Sequence, residues 1–142
     1  MEFKIINKST KEDKNFTNDA IASFLEVHLG RYGDKKADIL KCIAYVFDKG
    51  GAITLGIEND QIIGAVVINE TGMKDYIPEN ILVYIAVHEN QRGKGMGSKL
   101  MNKAIENAEG SIALHVEPDN PAKKLYERLG FTNKYLEMRL TR

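Results

Sequence analysis

The stretch "VHENQRGKGMGSKLM" sets Arg92, Gly93, Lys94, Gly95 and Gly97 between an apolar run and a helical pattern. Glycines there let the backbone take positive φ and let another group approach it closely, at a cost in conformational entropy. Amides at a helix N-terminus, backed by the positive end of the helix dipole, favour an anion, and Arg92 and Lys94 add charge at the mouth. The anion that best fits this chemistry is phosphate. Two familiar phosphate loops are disfavoured by the spacing. In G-x-x-x-x-G-K-[ST] the lysine precedes Ser or Thr, whereas Lys94 precedes Gly95 and His88 stands where the first glycine belongs. In G-x-G-x-x-G, reading from Gly93 and Gly95, the last position is Ser98, and the turn follows a late strand, although Glu117 lies at a suitable distance downstream.

Other reactive residue types point elsewhere. His28, His88 and His115 do not form a spaced ligand set, and neither H-E-x-x-H nor C-x-x-C occurs, so no metal is implied. Cys42 is the only cysteine; in "ADILKCIAYVF" it reads as a small buried hydrophobe, and it suits a reducing compartment.

The elements that must position the glycine turn follow from periodicity. "EFKII" reads as a first strand. Ile21, Phe24, Leu25, His28 and Leu29 fall at helical spacing from Asn18 to "GRYG", and Ile39, Leu40, Ile43 and Phe47 mark a second helix that stops at "DKGG". "AITLGIENDQIIGAVVIN" is a hairpin about "ENDQ", followed by the loop "GMKDYIPEN". "ILVYIAV", apolar on both faces, is a buried central strand. Beyond the turn, Leu100, Met101, Ala104, Ile105 and Ala108 share a helix face, and "SIALHV" is another strand. Asn120 or Asp119 can cap a helix with Pro121 at its first position, Ala122, Leu125, Tyr126 and Leu129 as its buried stripe, Gly130 as its C′ residue and Phe131 covering the last turn. "YLEMRL" is the expected last strand. The order β-α-α-β-β-β-α-β-α-β is a mixed α/β fold, with helices covering a largely antiparallel sheet.

At 142 residues and 43% hydrophobic, the chain suits one domain, 1–142, with a proper core. Twenty basic and twenty acidic residues cancel, so no global field draws in nucleic acid or an anionic membrane. "MEFKIINKSTKEDKN" has no signal-peptide core and no segment approaches the length of a membrane span, so a cytoplasmic protein is expected.

"RGKGMG" after "ILVYIAV" resembles the R/Q-x-x-G-x-G/A acetyl-CoA loop of the GCN5-related N-acetyltransferase (GNAT) superfamily, and "NPAKKLYERLGF" is similar to its second signature. The resemblance covers the whole chain in element order and is strongest from Ile81 to Phe131. It implies that acetyl-CoA is the cosubstrate, that the backbone from Arg92 through Gly93, Lys94, Gly95, Met96 and Gly97 to Ser98 holds its pyrophosphate, and that Ile85, Ala86 and Val87 offer backbone to the pantetheine arm. It also implies that Asn120 contacts the pantetheine region and that Tyr126, near the coenzyme sulfur, donates the proton to the leaving thiolate. Acetyl transfer needs a neutral amine, a donor for the developing oxyanion and that proton. The base stays open among His115, Tyr84, Glu70, Glu79, Glu117 and water; His115 lies on the strand face opposite Ile112, Leu114 and Val116. With Cys42 far from both motifs, direct attack by the amine is favoured over a cysteine-bound intermediate.

One departure stands out. After "LGF" most members continue through two strands, whereas "TNKYLEMRLTR" suffices for one. The C-terminal hairpin is expected to be shortened, which would open the acceptor side of the cleft or leave it to another subunit. Homodimerisation is a hypothesis for the same reason, since an unpaired edge strand invites a partner. The acceptor is a small-molecule or peptide amine, unspecified by charge, because "HLGRYGDKK" and "ETGMKDYIPE" carry both signs. The competing class is a non-catalytic module that senses acyl-CoA.

Overall fold

The computed structural model describes residues 1–142. Five strands form one sheet in the order of the chain: β1 (Glu2–Ile6), β2 (Gly51–Glu58), β3 (Gln61–Glu70), β4 (Asn80–Val87) and β5 (Ile112–Leu114). The first four run antiparallel, and β5 joins β4 in parallel. A parallel neighbour needs a crossover, and the helix α3 (Met96–Asn107) supplies it. Two helices between β1 and β2, α1 (Asn18–Leu29) and α2 (Lys36–Asp48), and the final helix α4 (Ala122–Arg128) complete the fold. No helix is long and apolar enough to cross a membrane.

Each face of the sheet buries its own core. Ile21, Leu25, Ile39 and Ile43 of α1 and α2 pack on Ile53, Leu55, Ala65, Val67, Tyr84 and Ala86. On the other face Leu100, Met101 and Ala104 of α3 and Tyr126 of α4 pack on Val66, Ile68 and Leu82. Strand alternation divides β3 in this way, with Ala65 and Val67 on one face and Val66 and Ile68 on the other.

β4 breaks the alternation. Its register with β3 matches Tyr84 to Val67 and Leu82 to Ile68, which leaves Val83 as an extra residue. This bulge sends Leu82 to the α3/α4 core and Tyr84, two residues on, to the α1/α2 core; an unbroken strand would put both on one face. Val83 itself is 37% exposed, so the strand expected to be buried on both faces is open at this point.

Two expectations are corrected. "SIALHV" yields only the three residues of β5, because β4 pairs with it at Asn80, Ile81 and Leu82 and then diverges. The last strand, "YLEMRL", does not form, and neither does a shortened terminal hairpin. Leu136, Met138 and Leu140 alternate as a strand would, yet they are exposed. A strand is stabilised by its neighbours more than by its own residues, and β5 offers an edge only three residues long.

Candidate functional site

The divergence of β4 and β5 creates the site. Ile85, Ala86 and Val87 pair with Val66, Ala65 and Gly64 of β3, while on their other side β5 has ended. Backbone that would join a ladder is left at an open edge. The glycine turn follows directly: a 3₁₀ turn at Glu89–Gln91, then Arg92 to Gly95, then α3. Gly95, at the N-cap of α3, has φ of 75°, a left-handed value that disfavours any side chain, and no side chain caps the helix. The first amides of α3, those of Met96, Gly97 and Ser98, therefore lack intrahelical acceptors, an arrangement whose chemistry suits an anion. No acidic residue lies in that first turn to compete.

A cleft of 360 Å³ links this loop to the far bank. The end of β4 contributes Val87, the turn Gly93 and Gly95, the start of α3 Gly97 and Ser98, and the other bank Pro121 with Leu125 and Arg128 of α4. Gly97 matters for its size. A Cβ there would sit 3.2 Å from Leu125 Cδ2, tighter than ordinary contact, so there is no room for a large side chain between the start of α3 and α4. Arg128 was not foreseen from the sequence. The available signal was its spacing, one turn beyond Leu125 and two beyond Pro121, on a stripe beside the buried one.

The expected loop residues divide by environment. Lys94 is exposed and forms no ion pair, so its charge is free at the mouth. Arg92 is tied back: its Nη2 donates to the carbonyl of His28 at 2.7 Å and its Nε to that of Val87 at 3.3 Å. Its guanidinium thus satisfies the C-terminus of α1, where a cation suits the helix dipole, and pins α1 to the loop. Beside it the His28 ring packs between Phe24 and His88, at 4.5 and 4.3 Å, and burial followed by the nearby His88 holds its pKa below the usual histidine value.

On the second motif, Asn120 Oδ1 accepts from the amide of Ala122 at 2.9 Å and so caps α4. At the other end the amide of Phe131 donates to the Tyr126 carbonyl at 3.0 Å and that of Gly130 to Glu127 at 3.1 Å. This Schellman ending lays the Phe131 ring edge-on against Tyr126, with centroids 6.0 Å apart. Tyr126 is only 7% exposed, and its hydroxyl makes no hydrogen bond within the protein. Burial pushes its pKa up to about 12. The group is a protonated phenol with an uncommitted donor.

The base candidates separate along the sheet. Glu70 and Glu79 lie at the closed end, where β4 begins. Glu79 braces that end, accepting from the amide of Ser111 at 2.7 Å, and these backbone hydrogen bonds hold its pKa below the ordinary value. His115 and Glu117 follow β5 and are exposed. Ile112, Leu114 and Val116 pack toward α3 and α4, so His115 takes the opposite direction. Tyr84 is at the open end on the other bank, and its hydroxyl donates to Asp34 Oδ2 at 2.5 Å. Asp34 escaped the sequence reading, since nothing in "RYGDKK" reveals a partner fifty residues away. Cys42 lies apart from the cleft on α2, where its Sγ donates to Asn69 Oδ1 at 3.3 Å and burial pushes its pKa up to about 12.

Residues 49–133 match the family of the acetyltransferase (GNAT) domain. The chain belongs to the GNAT acetyltransferases. Acyl transfer is the chemistry of that family, and the five-stranded mixed sheet flanked by helices is its fold. Solved structures share this fold across their whole length. An aminoglycoside 6′-N-acetyltransferase from Acinetobacter haemolyticus is 17% identical, with TM-score 0.69 over 100% of this chain and 98% of that one. A ribosomal-protein-alanine N-acetyltransferase from Brucella melitensis biovar Abortus 2308 is 16% identical, with TM-score 0.67 over 99% and 98%. A protein described as a transcriptional regulator, from Bacillus halodurans C-125, is 19% identical, with TM-score 0.72 over 99% and 100%. No curated protein matches the sequence.

Proposed function

We propose that this GNAT chain transfers the acetyl group of acetyl-CoA directly to a primary amine. The observation that supports the reading is the edge of β4 left open where β5 ends, beside a cleft between the uncapped N-terminus of α3 and α4, the helix that carries Tyr126. The residues present fit the coenzyme: amides of the Arg92–Ser98 segment for the pyrophosphate, Arg128 for charge in the cleft with the exposed Lys94 in the turn beside it, the Ile85–Val87 edge for the pantetheine amides, and Asn120 at the start of α4 for the pantetheine region. Acetyl-CoA supplies a thioester whose acyl carbon accepts a nucleophile. The chain supplies position, exclusion of water by the apolar walls Val87 and Leu125, and a proton from Tyr126. Direct transfer is favoured because the only thiol, Cys42, is held protonated by burial and is hydrogen-bonded to Asn69.

Isothermal titration with acetyl-CoA, beside ATP and NAD at equal concentrations, tests the ligand. Saturable binding of acetyl-CoA alone is expected, and release of free thiol should then depend on an added amine. Binding of ATP or NAD but not acetyl-CoA would reject the reading. Binding of acetyl-CoA with no amine-dependent thiol release would leave an acyl-CoA sensor.

A further inference from the structure

The bulge at Val83 delivers Tyr84 to the α1/α2 face at the point where β4 parts from β5. The Tyr84 ring is 7% exposed, and its hydroxyl holds Oδ2 of Asp34 at 2.5 Å. Asp34 is exposed, and its other oxygen, Oδ1, has no hydrogen-bond or ion-pair partner in the protein. A buried phenol, carried by the stretch of β4 that has lost its β5 neighbour, thus orients one side of a carboxylate and leaves the other side to solvent.

The backbone that carries Asp34 is fixed to both banks. Just before it, Arg31 Nη2 donates to Asp119 Oδ2 at 2.7 Å, and the Tyr32 hydroxyl donates to the Asp119 carbonyl at 3.1 Å. Asp119 belongs to the loop that enters α4, the helix of Tyr126. Arg92 ties the preceding end of α1 to the glycine turn. Residues 30–34 therefore form a strap across the open end of the sheet. The titratable groups around the Tyr84–Asp34 pair are Asp38 and Cys42 from α2, with Arg31, Lys35 and Lys36 in the segment of Asp34 itself. Arg31 is paired with Asp119 and Lys36 with Asp19, which leaves Lys35 as the one cation there without an ion pair. Of the other carboxylates considered, Glu70 and Glu79 stand at the closed end.

We propose that Asp34, oriented by Tyr84, is the group that receives the ammonium proton of the acceptor, and that the acceptor is an alkylamine arriving as a cation. The proposal rests on the N-acetyl transfer set out above. An alkylamine with a pKa like that of lysine, about 10.4, is neutral in fewer than about one molecule in a thousand at pH 7. A carboxylate at the entrance attracts the cation and takes its proton. The freed electron pair on nitrogen forms the N–C bond to the acyl carbon, the C–S bond breaks with its pair on sulfur, and sulfur takes the Tyr126 proton. The second proton leaving nitrogen restores Tyr126 through solvent, and Asp34 releases its own. Each turnover converts one ammonium ion and one thioester into one amide, one thiol and one proton.

The test is the pH dependence of kcat/KM for thiol release, with spermidine, an Nα-acetyl-lysine amide and an amino sugar as acceptors, in the unaltered protein, Asp34→Asn and His115→Gln. Asparagine keeps an acceptor for the Tyr84 hydroxyl at an exposed site, so the fold and the acetyl-CoA affinity should be retained. A positioned base contributes about 10²-fold or more. Asp34→Asn should therefore lose about 100-fold near pH 7, and the deficit should shrink about tenfold per pH unit as the free amine becomes available. His115→Gln should stay within about threefold. Turnover by Asp34→Asn equal to that of the unaltered protein, a deficit constant with pH, or a pH-dependent deficit in His115→Gln instead would each overturn the assignment while leaving N-acetyl transfer intact. Acetyl-CoA binding without thiol release from the unaltered protein on any acceptor would overturn both.

Discussion

Replacing Tyr126 with Phe removes one oxygen and keeps the ring that packs among Val66, Ile68, Leu82, Leu100 and Met101. The hydroxyl has no partner in the protein, so its loss leaves no buried group unsatisfied, and stability near pH 7 should change by less than about 1 kcal/mol. Loss of a positioned acid should lower turnover about 10²- to 10⁴-fold, a barrier increase of about 2.7 to 5.4 kcal/mol. Thiol release at saturating acetyl-CoA measures this, and titration should show an unchanged acetyl-CoA affinity. A second signature follows from titration of the phenol. Burial raises the Tyr126 pKa from 10.0 to about 12, so the folded state holds the proton more tightly than the unfolded state does. The associated stability is fully present below pH 10 and is lost as pH rises through about 12; it is worth about 2.7 kcal/mol at most. The phenylalanine variant lacks it. Urea unfolding from about pH 9 to about pH 12 should therefore show the unaltered protein losing up to about 2.7 kcal/mol more than Tyr126→Phe. Tyr84 and Cys42, which burial also raises, are common to both proteins and cancel. Full turnover in the variant would refute the acid role, and parallel alkaline profiles would refute the burial argument.

Gly97→Ala should be tolerated, with acetyl-CoA affinity within about threefold, because Leu125 Cδ2 at 3.2 Å need yield only slightly. Gly97→Leu should drive α3 from α4 and weaken acetyl-CoA binding at least about tenfold, or about 1.4 kcal/mol, in the same titration; equal affinities would show that the approach of the two helices does not shape the cleft. Cys42→Ala should keep turnover within about threefold, at a stability cost of about 1 kcal/mol. A large loss of thiol release there would instead implicate a cysteine-bound acyl group.

The parts of the site that depend on local chemistry were legible. Gly95 takes a left-handed φ and starts α3, and Gly130 and Phe131 close α4 over Tyr126. Helical stripes placed Leu100, Met101, Ala104 and Tyr126 inside. The failures are all matters of pairing. "YLEMRL" has the alternation of a strand, but alternation cannot supply an edge to pair with. The contact that Arg92 makes within the protein was equally out of reach, since the carbonyl it meets belongs to His28, sixty-four residues earlier.

By itself, then, the sequence determined the helices, the hairpin of β2 and β3, the glycine turn and the two motifs, because turn geometry, capping and amphipathic period act over a few residues. The tertiary structure decided that β4 bulges at Val83, that β5 ends after Leu114 so the sheet opens, and that a strap carries Asp34 to Tyr84 and ties Arg31 to Asp119. Those features join residues distant along the chain. They exist because two cores on opposite faces must both be filled, and filling them turns Tyr84 one way and Leu82 the other.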